Sequence, residues 1–186
     1  MDAAERCIGR SGLRGTGLAE VAAEADVSRP TAYRLFPGGR SEVIAATIAR
    51  SVEAFNHAMI KRLDPIDDPL DVVIEGIIFM LREIPKDPVL AQALSADAIA
   101  SLSGDPLKDA PLIFPGREIL NQYRKRIPGL SKRQQTTLWE LATRLGLSAL
   151  VLGKGDDLMG ASRRARTKLR EWLGPLVREH VSSSGN

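Results

Sequence analysis

The chain has 186 residues, 44% hydrophobic and 26% charged, which is the balance of a folded globular protein and excludes a disordered or fibrous one. A single cysteine, Cys7, excludes an internal disulfide and fits a reducing compartment, while the absence of a basic-then-apolar leader and of any long apolar run leads us to expect a cytoplasmic protein with no membrane segment. The net charge of +3 is a weak pointer to nucleic acid, because residues 1–62 hold nine basic against seven acidic side chains, 63–130 seven against eleven, and 131–186 ten against five; an electrostatic case must rest on local clusters.

Helix signals punctuate the whole chain, and no segment alternates with period two. About nine helices are predicted, over 1–11, 17–24, 28–35, 41–62, 69–84, 88–102, 116–126, 131–152 and 158–181, so the fold class is all-α. In the second helix Leu18, Val21, Ala22 and Ala25 share one face. A tight Ala-Asp-Val turn follows, with Val27 expected in the core. Ser28 then caps the third helix, whose Ala32, Leu35 and Phe36 are expected to face inward. Arg29, Thr31, Tyr33 and Arg34 are left outside. Two short helices, a three-residue turn and a donor-rich second helix make a helix-turn-helix over 17–36.

The chemistry of that motif suits DNA. Between Asp26 and Arg40 there are three arginines and no further acid. The start of the third helix turns backbone amides and partial positive charge toward phosphate. Thr31 and Tyr33 offer hydroxyls for phosphate oxygens, and arginine can reach phosphate or the guanine edge. Pro30 lacks an amide that the first turn could not satisfy, and its ring can touch a thymine methyl.

Farther along, Asp68-Pro69 and Asp87-Pro88 read as helix starts, and Ser131 with Gln134 as a capping box. Helix 69–84 is apolar nearly all round and is expected at the centre of its own domain. The apolar stretch 138–152, where Gly146 and Ala149 allow close approach, is expected between that core and a partner subunit. The last helix carries one apolar stripe, with Arg163, Arg164, Arg166 and Arg170 off it. These arginines are expected to form a solvated face; a second nucleic-acid surface is the alternative.

An effector site between helices would draw on Phe55, Phe79, Met80, Phe114, Tyr123 and Trp139, with Thr143 and Arg144 as polar groups. Its ligand is expected to be mostly apolar, with an anionic end if Arg144 faces inward. Leu138, Leu145, Ala149, Leu152, Leu169, Trp172, Leu173 and Leu176 are the expected dimer interface. With only His57 and His180, no Glu-x-x-His pair exists for a di-iron bundle, and Glu53 with His57 is two ligands at most. No metal, cofactor or catalytic residue is expected. An all-helical enzyme or an interaction module without DNA is the alternative reading.

Residues 1–50 resemble the DNA-binding domain of the tetracycline-repressor (TetR) family of bacterial transcription regulators. The resemblance runs through "DAAERCIGRSG" ending at Gly12, then Thr16, "LAEVAAEADVS" and "RPTAYRLFP". It assigns Ser28 as a cap, Thr31 as a hydroxyl contact, Tyr33 as a phosphate-binding tyrosine and Phe36 as a core aromatic. It also implies DNA contacts near Thr16 and Gly17, and aligns Arg40 with a phosphate-contacting lysine. Gly17 stands where the family usually has serine or threonine, Asp26 replaces a turn glycine, Leu35 a frequent histidine, and "FPGGRSEV" is one residue longer than the usual pattern. Aligned so, the sequence starts inside the family's first helix, and no basic arm is expected. The resemblance implies a 1–50 DNA-binding domain, a 51–186 effector-binding and dimerisation domain, and a homodimeric repressor that a small molecule releases from a palindromic operator.

Overall fold

The computed structural model describes residues 1–95, 131–152 and 163–182. Among them there are eight α-helices and no strand: α1 (Asp2–Gly15), α2 (Leu18–Glu24), α3 (Arg29–Leu35), α4 (Gly39–Leu63), α5 (Pro69–Glu83), α6 (Pro88–Ala93), α7 (Lys132–Leu152) and α8 (Arg163–Ser182), with a 3-10 turn at Ile84–Lys86. The all-α class is as expected. The predicted helix 116–126 lies outside the described residues. So do the second half of the predicted helix 88–102 and the Gln134 side chain of the predicted capping box.

The chain divides into two compact units, Met1–Phe55 with Ile84–Leu102, and Asn56–Glu83 with Ser103–Asn186, each taken here as far as it is described. In the first, Ala3, Ala4, Cys7, Leu18, Val21, Ala22, Ala32 and Val43 form the core, with Phe36 and Ile44 packed against it. Burial also pushes the Cys7 thiol pKa up, favouring the neutral side chain of a core residue. Helix α1 breaks at Gly12 (φ 72°, ψ 171°), close to its expected end and in a conformation that glycine adopts without a Cβ clash. Helix α6 packs against α1 within this unit. Its Asp87 cap accepts from the amides of Val89 (2.8 Å) and Leu90 (3.0 Å).

Two inward assignments are corrected. Val27 is 38% exposed and Leu35 62%. A short helix turns only one stripe inward, and Ala32 and Phe36, one turn apart, occupy it, so Leu35 is rotated off. Val27 follows Asp26, whose left-handed backbone (φ 54°) ends α2. Its amide bonds back to the Ala22 carbonyl at 3.0 Å while its side chain turns outward.

In the second unit α5 is the central helix, packed by both α7 and α8. Leu70, Val72, Val73, Ile74, Ile77, Ile78, Met80 and Leu81 are all buried, as its all-round apolar character requires. Gly76 lets α7 come close: a Cβ there would stand 3.1 Å from the Trp139 ring. Gly146 does the same against Met80, at 3.1 Å from its methyl group.

The arginine stripe of α8 is not a uniformly solvated face. Arg166 donates through Nε and Nη2 to the Glu75 carboxylate, which also accepts from Arg62 Nη2 at 3.0 Å, and Arg170 pairs with Asp71. Those ion pairs also argue against a second nucleic-acid surface there. The Arg166 guanidinium, with help from Arg62, holds the Glu75 pKa below its ordinary 4.5 against the opposing effect of burial. A lowered folded-state pKa means stabilisation that is fully present above about pH 4.5 and fades as pH falls through the depressed value. Urea midpoints of wild type and Glu75→Gln should therefore differ at pH 7 and converge as the pH drops below that range.

Candidate nucleic-acid interface

Helix α2 starts at Gly17, whose backbone amide donates to the Glu20 carboxylate at 3.2 Å. Glycine has no side chain to return the bond, so only half of a capping box forms. After the Asp26 turn, Ser28 adopts extended backbone (φ −66°, ψ 148°), and its Oγ accepts from the Thr31 amide at 3.3 Å. The Ser28 and Thr31 hydroxyls are 2.9 Å apart and share a hydrogen bond. Pro30 sits in the first turn, as its missing amide allows.

Thus α3 presents Arg29, Pro30, Tyr33, Arg34 and Leu35 outward, with Thr31 half-buried, and contains no acid. Most other arginines of this unit, the exposed Arg14 apart, have intramolecular work. Arg6 and Arg10 hold Glu24 at 2.6 and 3.0 Å, and Arg50 pairs with Asp2 at 2.6 Å and Glu5 at 3.5 Å. The two guanidiniums lower the Glu24 pKa, Arg6 having the larger effect, and Arg50 likewise lowers that of Asp2. By contrast, among the described residues no acidic side chain forms an ion pair with Arg29 or Arg34. The motif concentrates uncompensated positive charge, hydroxyls and one phenol on a single short helix.

Two members of the expected set are placed differently. Thr16 is fully buried and its hydroxyl donates to the Gly12 carbonyl at 2.8 Å, so its side chain bridges the end of α1 and cannot reach a phosphate. Arg40 donates from Nε to the Thr16 carbonyl (2.9 Å) and from Nη2 to those of Leu13 (2.6 Å) and Arg14 (3.4 Å). In this arrangement it is a clamp between the start of α4 and the segment leaving α1, rather than a phosphate contact. Arg40→Ala should lower the stability of the fold by about 1.5–3 kcal/mol, the range for hydrogen bonds from a charged group. Arg40→Lys should recover only part of that, because an ammonium lacks the planar fork. Thermal unfolding of the three proteins measures both effects.

The sequence model described as bacterial regulatory proteins, tetR family, matches residues 1–47, the segment that carries α1, α2, α3 and the start of α4. Residues 1–47 are thus similar to the bacterial regulators of the tetR family. The match supports a DNA-binding transcription regulator. The fold is similar to that of the fatty acid degradation regulator FadR from Bacillus halodurans, with a TM-score of 0.54, 15% identity, and coverage of 90% of this chain and 91% of that one. At such identity the likeness concerns the fold. No curated protein matches the chain.

The remaining candidate residues are divided by the structure. Met80, Trp139 and Thr143 are buried in the second unit and Phe79 is half-buried there, whereas the half-buried Phe55 ends the described first segment of the other unit. Phe114 and Tyr123 lie outside the described residues. Arg144 is exposed, which removes the reason to expect an anionic end on a ligand. Of the expected dimer residues, Leu138, Ala149, Leu169 and Leu173 are buried within the single chain and Leu145 is half-buried; the Leu152 side chain lies outside the described residues. The other two expected dimer residues, Trp172 (45%) and Leu176 (42%), are exposed, as is Leu141 (39%). Among the described residues no helix is long and apolar enough to cross a membrane, and no cluster of three metal-ligating side chains occurs.

Proposed function

We propose that the protein is a homodimeric transcriptional repressor in the cytoplasm, released from a palindromic operator by a small, mostly apolar molecule. The observation that carries the reading is α3, with Arg29, Tyr33 and Arg34 exposed and no acid beside them, on a segment that matches a regulator family. Ser28, Arg29, Pro30, Thr31, Tyr33 and Arg34 contact the duplex, the hydroxyls and phenol positioning on phosphate and the arginines reading base edges. Gly17 lies at the N-terminus of α2 and contributes its backbone at the same surface.

Residues 1–50 are the DNA-binding part and 51–186 the effector-binding and dimerising part. Dimerisation uses Leu141, Trp172 and Leu176, since exposed large apolar groups on two helices of one unit favour covering by a second subunit. The effector contacts Phe79, Met80, Trp139 and Thr143, three apolar side chains and one hydroxyl that suit an uncharged or weakly polar molecule. The match of residues 1–47 to a regulator family favours a regulatory role over an enzymatic one.

Thermodynamic linkage supplies the test: an effector that weakens operator binding tenfold must itself bind tenfold more weakly to the operator complex. Apolar compounds that raise the melting temperature should each be titrated against the protein and against the protein–operator complex. Equal affinity for both would refute ligand-controlled release, and a sedimentation result of monomer alone would refute the homodimer.

A further inference from the structure

Leu35 is the most exposed large apolar side chain among the described residues, at 62%. The fold does not need it there. Ala32 is the buried residue of α3 and Phe36 packs against the core, so the inward stripe is already filled. Leu35 follows Arg34 directly and lies one helical turn after Thr31, on a helix with two outward arginines and no acid. That helix is the one proposed to read base edges, which are distinguishable in the major groove, and the present inference rests on that reading.

Within the major groove every base edge offers hydrogen-bond donors or acceptors, and the apolar feature is the 5-methyl group of thymine. A leucine placed against a donor or acceptor would strip it of water and give nothing back. Against a thymine methyl it removes apolar surface from water on both sides. We infer that Leu35 is a specificity-determining residue that packs on a thymine 5-methyl group in each operator half-site, adding to the sequence preference set by the arginines.

The test replaces thymine by deoxyuridine, one position at a time and symmetrically in both half-sites, in an operator selected from random DNA. This exchange deletes the methyl and leaves base pairing intact. Wild type should lose about fourfold in affinity per half-site at one position, the worth of one buried methyl group, and so roughly sixteenfold when both half-sites are changed. Leu35→Ala and Leu35→Gln, which alter an exposed side chain and should keep the wild-type melting temperature, should bind the thymine operator more weakly and be insensitive to deoxyuridine at that position. The inference is overturned if no thymine position is methyl-sensitive in wild type, or if the variants are as sensitive as wild type at every one. Failure of wild type to select any sequence would instead overturn the regulator reading on which the inference stands, and is seen before any deoxyuridine is introduced.

Discussion

Replacing Arg29 by alanine is expected to cost about 1–3 kcal/mol of affinity per half-site and to relax the preference at one base pair in each, the signature of a lost base contact. Because the operator holds two half-sites, the loss in a dimer complex approaches twice that figure, making this the largest effect on binding that we expect from a single exchange. The side chain is exposed at the first turn of α3, and no ion pair among the described residues competes for it. Tyr33→Phe provides the contrast. Its phenol, on a residue 54% exposed, is assigned to phosphate, and the loss of about 1 kcal/mol should be the same on operator and random duplex. Competition assays with both DNAs separate the two behaviours. If Arg29→Ala weakens both DNAs equally, Arg29 is a phosphate clamp and Arg34 becomes the reading residue.

Leu169→Ala should cost about 2–5 kcal/mol of stability, the range for deleting a buried leucine that neighbours cannot collapse upon. Leu169 is fully buried on α8, which packs on α5. Leu176, 42% exposed on the same helix, should behave oppositely. Leu176→Asp should leave the subunit fold within about 1 kcal/mol of wild type, as surface exchanges usually do, while weakening self-association. Urea unfolding combined with sedimentation distinguishes these outcomes. Loss of association without loss of fold on Leu169→Ala would contradict the division between core and interface.

What the sequence made legible was largely local. Ser28 and Asp87 cap through amides two or three residues away, and Asp68 accepts from the Asp71 amide at 2.9 Å, so a short window holds both partners. Gly12 and Asp26 likewise take backbone conformations that their own chemistry permits. Helix α5 could be placed at a centre because a helix apolar on every side leaves no other option.

The corrections come from long-range partners and from short helices. Arg40 finds its carbonyls 24 to 27 residues back along the chain, and Arg166 meets Glu75 across 91 residues. Local spacing encodes neither. On seven-residue α3 the periodicity leaves several apolar residues competing for the inward stripe, and only packing against α1, α2 and α4 decides that Ala32 and Phe36 take it while Leu35 does not. The stripe of α8 is divided for a related reason, Leu169 and Leu173 being buried while Trp172 and Leu176 stay exposed. Periodicity identifies an apolar face but not what covers it, and α5 covers Leu169 and Leu173 within the same chain.

Selection of bound sequences from random double-stranded DNA by the full chain tests the central claim most directly. A dimeric regulator reading DNA through α3 should enrich an inverted repeat whose half-sites are centred about one helical turn, roughly 34 Å, or a multiple of it, apart, and Arg29→Ala or Arg34→Ala should erase the preference at a defined base pair in each half. Enrichment of no sequence, at a salt concentration where non-specific binding is already suppressed, would contradict the account.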